Sequence, residues 1–160
     1  MRAVRRLGQP SPLVMKMARR QIVDRMPGFV RIERRRGEPT MAPDTLDLSY
    51  ENDVVYEGRA RLALESAGPV QDTDELIFEV SGQVVVPYAI GDQVIRPMAE
   101  DVISVIGHVD ELFVGAVLRI TGVSRAGHLP LQRELTVDGM APAKNWSDTT
   151  VTPVIETDGP

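Results

Sequence analysis

Three consecutive arginines, Arg34, Arg35 and Arg36, are the densest chemistry in the chain. Adjacent guanidiniums can grip phosphates, dock on a partner's carboxylates, or solvate a strand end, and the triplet alone leaves all three open. Catalytic patterns are scarce around it. His108 and His128 lack the HExxH or His-x-His spacing of a zinc site. The serines at 11, 49, 66, 81, 104, 124 and 147 show no nucleophile elbow, and no glycine run precedes Lys-Ser or Lys-Thr as in a phosphate loop. Asp72, Asp74 and Glu75 cluster in a polar stretch without the apolar setting that raises a carboxylate pKa or the central glycine of a calcium loop. With no cysteine, thiolate ligands, thiol nucleophiles and disulfides are excluded. The residues predict no catalytic, metal or cofactor site, and a protein that is not an enzyme.

The arginines belong to a chain of divided charge. Residues 1–36 hold 11 Lys/Arg against two acids, and residues 37–160 hold 7 against 21, giving +9 and −14 within a net charge of −5. Such a split favours contact between the basic part of one subunit and the acidic part of another, or an anionic partner at one end only. At 160 residues, 42% hydrophobic and 26% charged, the chain suits one globular domain. Aromatics at 4% leave little for base-stacking platforms. No apolar run approaches a membrane span, and the basic N-terminus has no apolar stretch or cleavage site after it, so an intracellular origin is expected.

Positioning these groups requires one helix and a set of strands. The first ten residues read as a flexible or partner-held arm. Ser11 is an N-cap candidate with Pro12 at the first helical position. Val14, Met15, Ala18, Ile22 and Met26 recur at helical spacing to Pro27-Gly28, with Lys16, Arg19, Arg20 and Asp24 mainly opposite. The methionine-rich apolar face of this amphipathic helix suits docking on its own domain or on a neighbour, own-domain packing being the commoner outcome. Alternation then predicts strands at Phe29–Arg34, Val54–Glu65 (Ala60, Leu62 and Leu64 inward), Glu75–Val86 (Val80, Val84 and Val86 inward), Gln93–Arg96, Asp101–Ile106, Ala116–Val123 and Leu129–Val137. The Pro-bearing segments Gly37–Asp53 and Ser66–Asp74 read as turn and loop. The expected fold is mainly β, a small antiparallel barrel or sandwich over residues 28–140. The arm and basic helix occupy 1–27, and an extended tail holding Trp146 occupies 141–160.

A basic helix on a small barrel allows a nucleic-acid-binding module, with Arg34–Arg36 on phosphates. Against this, the barrel body is acidic and its outward Glu79, Ser81 and Gln83 are the wrong surface for a reader.

Asp110–Asp138, DELFVGAVLRITGVSRAGHLPLQRELTVD, resembles the closing segment of head-to-tail stopper proteins of long-tailed phages infecting actinobacteria. Leu112, Val114, Gly115, Leu118, Ile120 and Gly122 match the first part of that pattern. Arg133, Leu135 and Val137 match the second, with Glu134 replacing one arginine of a pair. VRIER (Val30–Arg34), VVYEGRARL (Val54–Leu62) and IGDQV (Ile90–Val94) fit the same strand order, so the similarity runs over about residues 13–140. The C-terminal tail and the longer region from Glu75 to Gly107 depart from the pattern. The resemblance implies a virion neck protein, made in the bacterial cytoplasm. It would form a ring, commonly a hexamer, below the portal and adaptor rings and above the tail terminator or tail tube. Packaged DNA would pass through without specific binding, and no membrane is involved. On that reading Ser66, Gly68, Pro69, Gln71, Asp72, Thr73 and Asp74 form a channel-facing loop. Lys16, Arg19, Arg20, Arg34, Arg35, Arg36 and Trp146 contact neighbouring subunits or rings. An adaptor or tail-terminator ring is the nearest alternative.

Overall fold

The computed structural model describes residues 10–72, 75–124 and 130–142. Helix α1 (Pro12–Asp24) starts at Ser11, whose side chain accepts a hydrogen bond from the Val14 amide, with Pro12 in the first turn. The strands are β1 (Gly28–Met41), β2 (Leu48–Asp72), β3 (Glu75–Pro87), β4 (Ala89–Ile90), β5 (Gln93–Val94), β6 (Val102–Gly107), β7 (Val117–Val123) and β8 (Gln132–Pro142). A single 3-10 turn, Glu111–Phe113, precedes β7.

Six of these strands close a barrel in the order β1-β2-β3-β8-β7-β6, with β6 returning to β1, and every neighbouring pair is antiparallel. β4 and β5 form a separate short hairpin. The long strand β2 serves two partners in turn, its first part pairing β1 up to Ala60 and its second pairing β3 from Arg61. Alternation fills the interior as the sequence predicts. Val30, Ile32, Ala60, Val84, Val86, Ile103, Leu118, Ile120 and Leu135 are fully buried, while Leu62 and Leu64 are partly covered against them. At Gly139 the crossing of β7 and β8 is so close that a Cβ would sit 2.7 Å from the Leu118 Cα. The tight curvature of a small barrel therefore requires glycine there.

Both segments read as turn and loop prove to be largely strand. β1 continues to Met41 and β2 begins at Leu48, so residues 34–53 form a two-stranded ribbon beyond the last β1–β6 pair, Glu33 with Val102. Pro39 is accommodated by a shift of register between Arg36 and Thr40, where Gly37 takes φ +70°. The other edge of β1 is unpaired along the ribbon, so the missing proline N–H breaks no ladder. Ser66–Asp72 likewise belongs to β2, paired with β3 through Asp72–Glu75, with a register shift at Ser66/Gly68. Pro69 lies where β2 has a partner on one side, for the same reason. β8 runs to Pro142, so Ala141 and Pro142 are part of the barrel rather than of a tail.

Tyr56 reports on this packing. Its ring is buried, and its hydroxyl donates to the Arg59 carbonyl at 2.6 Å. Burial disfavours the phenolate and pushes the Tyr56 pKa up from 10.0 to about 12. Folding thus favours the protonated ring, a contribution complete below pH 10 and lost as pH rises through about 12. The urea midpoint should fall across that window, and the fall should be smaller in Tyr56→Phe. An equal fall in both proteins would contradict the assignment.

Candidate functional site

The arginine triplet sits at the root of the ribbon, where β1 leaves the barrel. Arg34 Nε and Nη2 donate to Asp101 Oδ1 and Oδ2 at 2.9 and 2.8 Å, and Nη2 also reaches the Arg96 carbonyl at 3.0 Å. Asp101 is 3% exposed and takes a further hydrogen bond from the Met98 amide at 2.8 Å. Its burial is thus compensated by a parallel fork and a backbone donor. The hydrogen bond to Asp101 is the main influence raising the Arg34 pKa above its ordinary value, against desolvation. Arg35 lies over the Tyr50 ring, 4.3 Å from its centre, and Arg36 reaches Asp53 at 3.7 Å across the ribbon. Arg34, expected with Arg35 and Arg36 to face a partner, also fastens ribbon to barrel, with its side chain 39% exposed. Arg35 and Arg36 remain at the surface but already brace the ribbon.

The ribbon itself carries what the sequence reading missed. Met41, Leu46, Leu48 and Tyr50 are exposed, Leu46 to 73%. Among them Glu38, Asp44, Asp47, Glu51 and Asp53 supply five acids, and residues 37–53 contain no Lys or Arg. The signal was present, since Leu46, Leu48 and Tyr50 alternate with polar residues at strand spacing. Pro39, Pro43 and Gly37 masked it.

At the other end of β1, α1 carries Lys16, Arg19 and Arg20. Arg19 turns inward, its Nε donating to the Pro130 carbonyl at 3.3 Å and its guanidinium 5.4 Å from the Tyr88 ring centre. Arg133 approaches the same ring at 4.7 Å, so two cations share one aromatic face system. Lys16 and Arg20 are exposed and, with Val23, Ala89 and Ile90, line a groove of about 250 Å³ between α1 and the β4–β5 hairpin. Of the apolar face read from the sequence, Met15, Ala18 and Ile22 are partly covered and Met26, just past the helix, is buried, whereas Val14 is exposed. No residue of α1 itself is fully buried, and Leu13 and Met17 are exposed as well. Arg19 ties it down through the Pro130 carbonyl, and Arg59 Nη1 secures its end by donating to the Asp24 carbonyl at 3.3 Å.

Of the other predicted residues, Ser66, Gly68, Pro69, Gln71 and Asp72 fall on the β2 backbone near the tip of its hairpin with β3, not in a loop. Thr73, Asp74 and Trp146 lie outside the described residues, as does His128. His108 is taken up locally, its Nδ1 accepting from the Asp110 amide at 2.8 Å and its ring edge-on to Phe113. Among the described residues no three His, Cys, Asp or Glu gather as a metal site, and no helix is long and apolar enough to cross a membrane.

The family of unknown function DUF6093 matches residues 18–138, and the chain belongs to it. No curated protein and no solved structure matches.

The three arginines should separate on truncation. Arg34→Ala leaves the buried Asp101 carboxylate without its fork and should cost about 2–4 kcal/mol in urea unfolding. Arg35→Ala should cost under about 1 kcal/mol and Arg36→Ala about 0.5 kcal/mol or less. Three equal losses would contradict this division.

Proposed function

We propose that this member of the DUF6093 family is a structural virion protein of a long-tailed phage, a head-to-tail stopper. Copies assemble as a ring below the portal and adaptor, close the DNA-filled head, and offer a platform to the tail terminator or tail tube. The observation that carries the reading is the amount of apolar surface the fold leaves unused at two projections. The ribbon exposes Met41, Leu46, Leu48 and Tyr50, and the helix exposes Leu13, Val14 and Met17. Exposed large apolar side chains occur elsewhere too, Val109 and Met98 among them, but those on the ribbon and on the helix lie close together along their elements, and such groups mark surfaces built for partners. The resemblance of Asp110–Asp138 to stopper proteins supplies the kind of assembly.

Charge is consistent with a channel that DNA must traverse without sticking. The sequence around the β2–β3 tip carries Asp72, Asp74 and Glu75, and residues 37–160 sum to −14. Acidic walls repel phosphates. Phosphate binding by the arginine triplet is disfavoured, because Arg34 is committed to Asp101 and Arg35 to Tyr50.

The reading is tested by the mass of the purified protein alone and after incubation with tail-less, DNA-filled heads. A stoichiometric ring on heads that then accept tails is the expected result. Protein that ignores heads but shifts free DNA in a salt-dependent way would transfer the function to nucleic-acid binding. A ring that forms only on tails would make it a tail terminator, and one that forms on the portal before any other neck protein would make it the adaptor.

A further inference from the structure

We infer that the acidic ribbon of one copy docks on the basic helix and groove of the next, so that the self-contact is head-to-tail. The inference rests on the ring reading above and assigns the surfaces that would build it. Two features of the molecule fit one another and are kept apart within a single chain. The ribbon, residues 37–53, has five acids and no base, and among the described residues only Asp53 of these acids is ion-paired. The helix segment Pro12–Arg25 has Lys16, Arg19, Arg20 and Arg25 against Asp24 alone. Each also offers apolar side chains to the other, Met41, Leu46 and Leu48 on the ribbon, and Met17, Val23 and Ile90 around the groove. Opposite charge gives register and approach, and the apolar pairs give the burial that holds the contact.

Within one chain neither surface covers the other: among the described residues, no hydrogen bond, ion pair or ring contact joins residues 37–53 to α1 or to the β4–β5 hairpin. The occupant assigned to the groove is a second copy, whose acidic ribbon complements its charge. Because the two surfaces differ, the contact is heterologous. Each copy keeps one unused ribbon and one unused groove until rotation brings the last back to the first.

Charge reversal on each side provides the test, using the full chain. Lys16→Glu with Arg20→Glu, and Asp44→Lys with Asp47→Lys, alter exposed residues outside the barrel core. Each pair should weaken self-association at least about tenfold in sedimentation, a loss in the range of close interfacial charge pairs. Mixed in equal amounts, the two variants should co-assemble in alternation, since the intact ribbon meets the intact groove and the reversed ribbon meets the reversed groove. All four changes in one chain should restore association. The chain has no native cysteine, so Met17→Cys with Met41→Cys adds an independent readout, a ladder of disulfide-linked oligomers on oxidation. Variants that associate like the parent, or a mixture that stays monomeric, would overturn the contact. So would a parent that is monomeric at about 1 mM and a cysteine pair that gives no ladder. The two proposals fail separately. Rings on heads that survive both reversals would retain the stopper and discard the ribbon–helix contact, whereas a ladder from protein that never binds heads would do the opposite.

Discussion

The fork between Arg34 and Asp101 is the constraint on which the shape of this molecule turns. The β1–β6 ladder ends at Glu33 and Val102. Arg34 and Asp101 are the next residue out on each chain, so a bidentate ion pair takes over where backbone hydrogen bonding stops. The turn that delivers Asp101 is itself demanding. Glu100 adopts φ +75°, and the backbone around it is tied to β7 through Glu100 N to Ile120 O and Ile120 N to Asp101 O. A carboxylate buried to this degree is tolerable only with its oxygens occupied, and the fork and the Met98 amide occupy them. The same bonds fasten the root of the ribbon to the barrel, while the Arg34 side chain itself stays 39% exposed.

What could be read from the sequence follows the reach of each signal. Period-2 alternation is local, and it gave the barrel strands and their inward residues, Ala60, Val80, Val84 and Val86 among them. Ser11-Pro12 and the three- and four-residue spacing gave the helix for the same reason. Two errors came from treating Pro39 and Pro69 as strand breakers. Proline breaks a strand only when both edges are laddered, and each of these lies where a strand is paired on one side. The role of Arg34 was not legible at all, because its partner is 67 residues away and nothing nearby marks the pairing. Which face of α1 would stay uncovered was equally beyond local pattern, since it depends on Tyr88 and Pro130 receiving Arg19.

Closure of the barrel decides where association can occur. An open sheet offers edge strands to its neighbours, and a closed one does not. Here the six-strand ring leaves its unpaired strand edges on the projections and along β2, outside the closed ladder. The barrel wall meanwhile ties up charge internally. Arg31 pairs with Glu33 and Glu57, and Arg119 spans Glu100 and Asp138. Such exposed pairs add little stability, yet they leave the wall nearly neutral where they occur, and unbalanced charge is displaced toward the ends.

That displacement has a consequence for specificity. A chain of net charge −5 repels its copies at random orientation, so non-specific association is discouraged over distances of about a Debye length. Only the orientation that brings an acidic ribbon against a basic helix reverses the sign locally. The same imbalance that keeps free copies apart favours the proposed geometry over random approach. Under the proposed ribbon–helix contact, a polar chain adds each copy in the same sense, as the proposed neck with distinct head and tail sides requires.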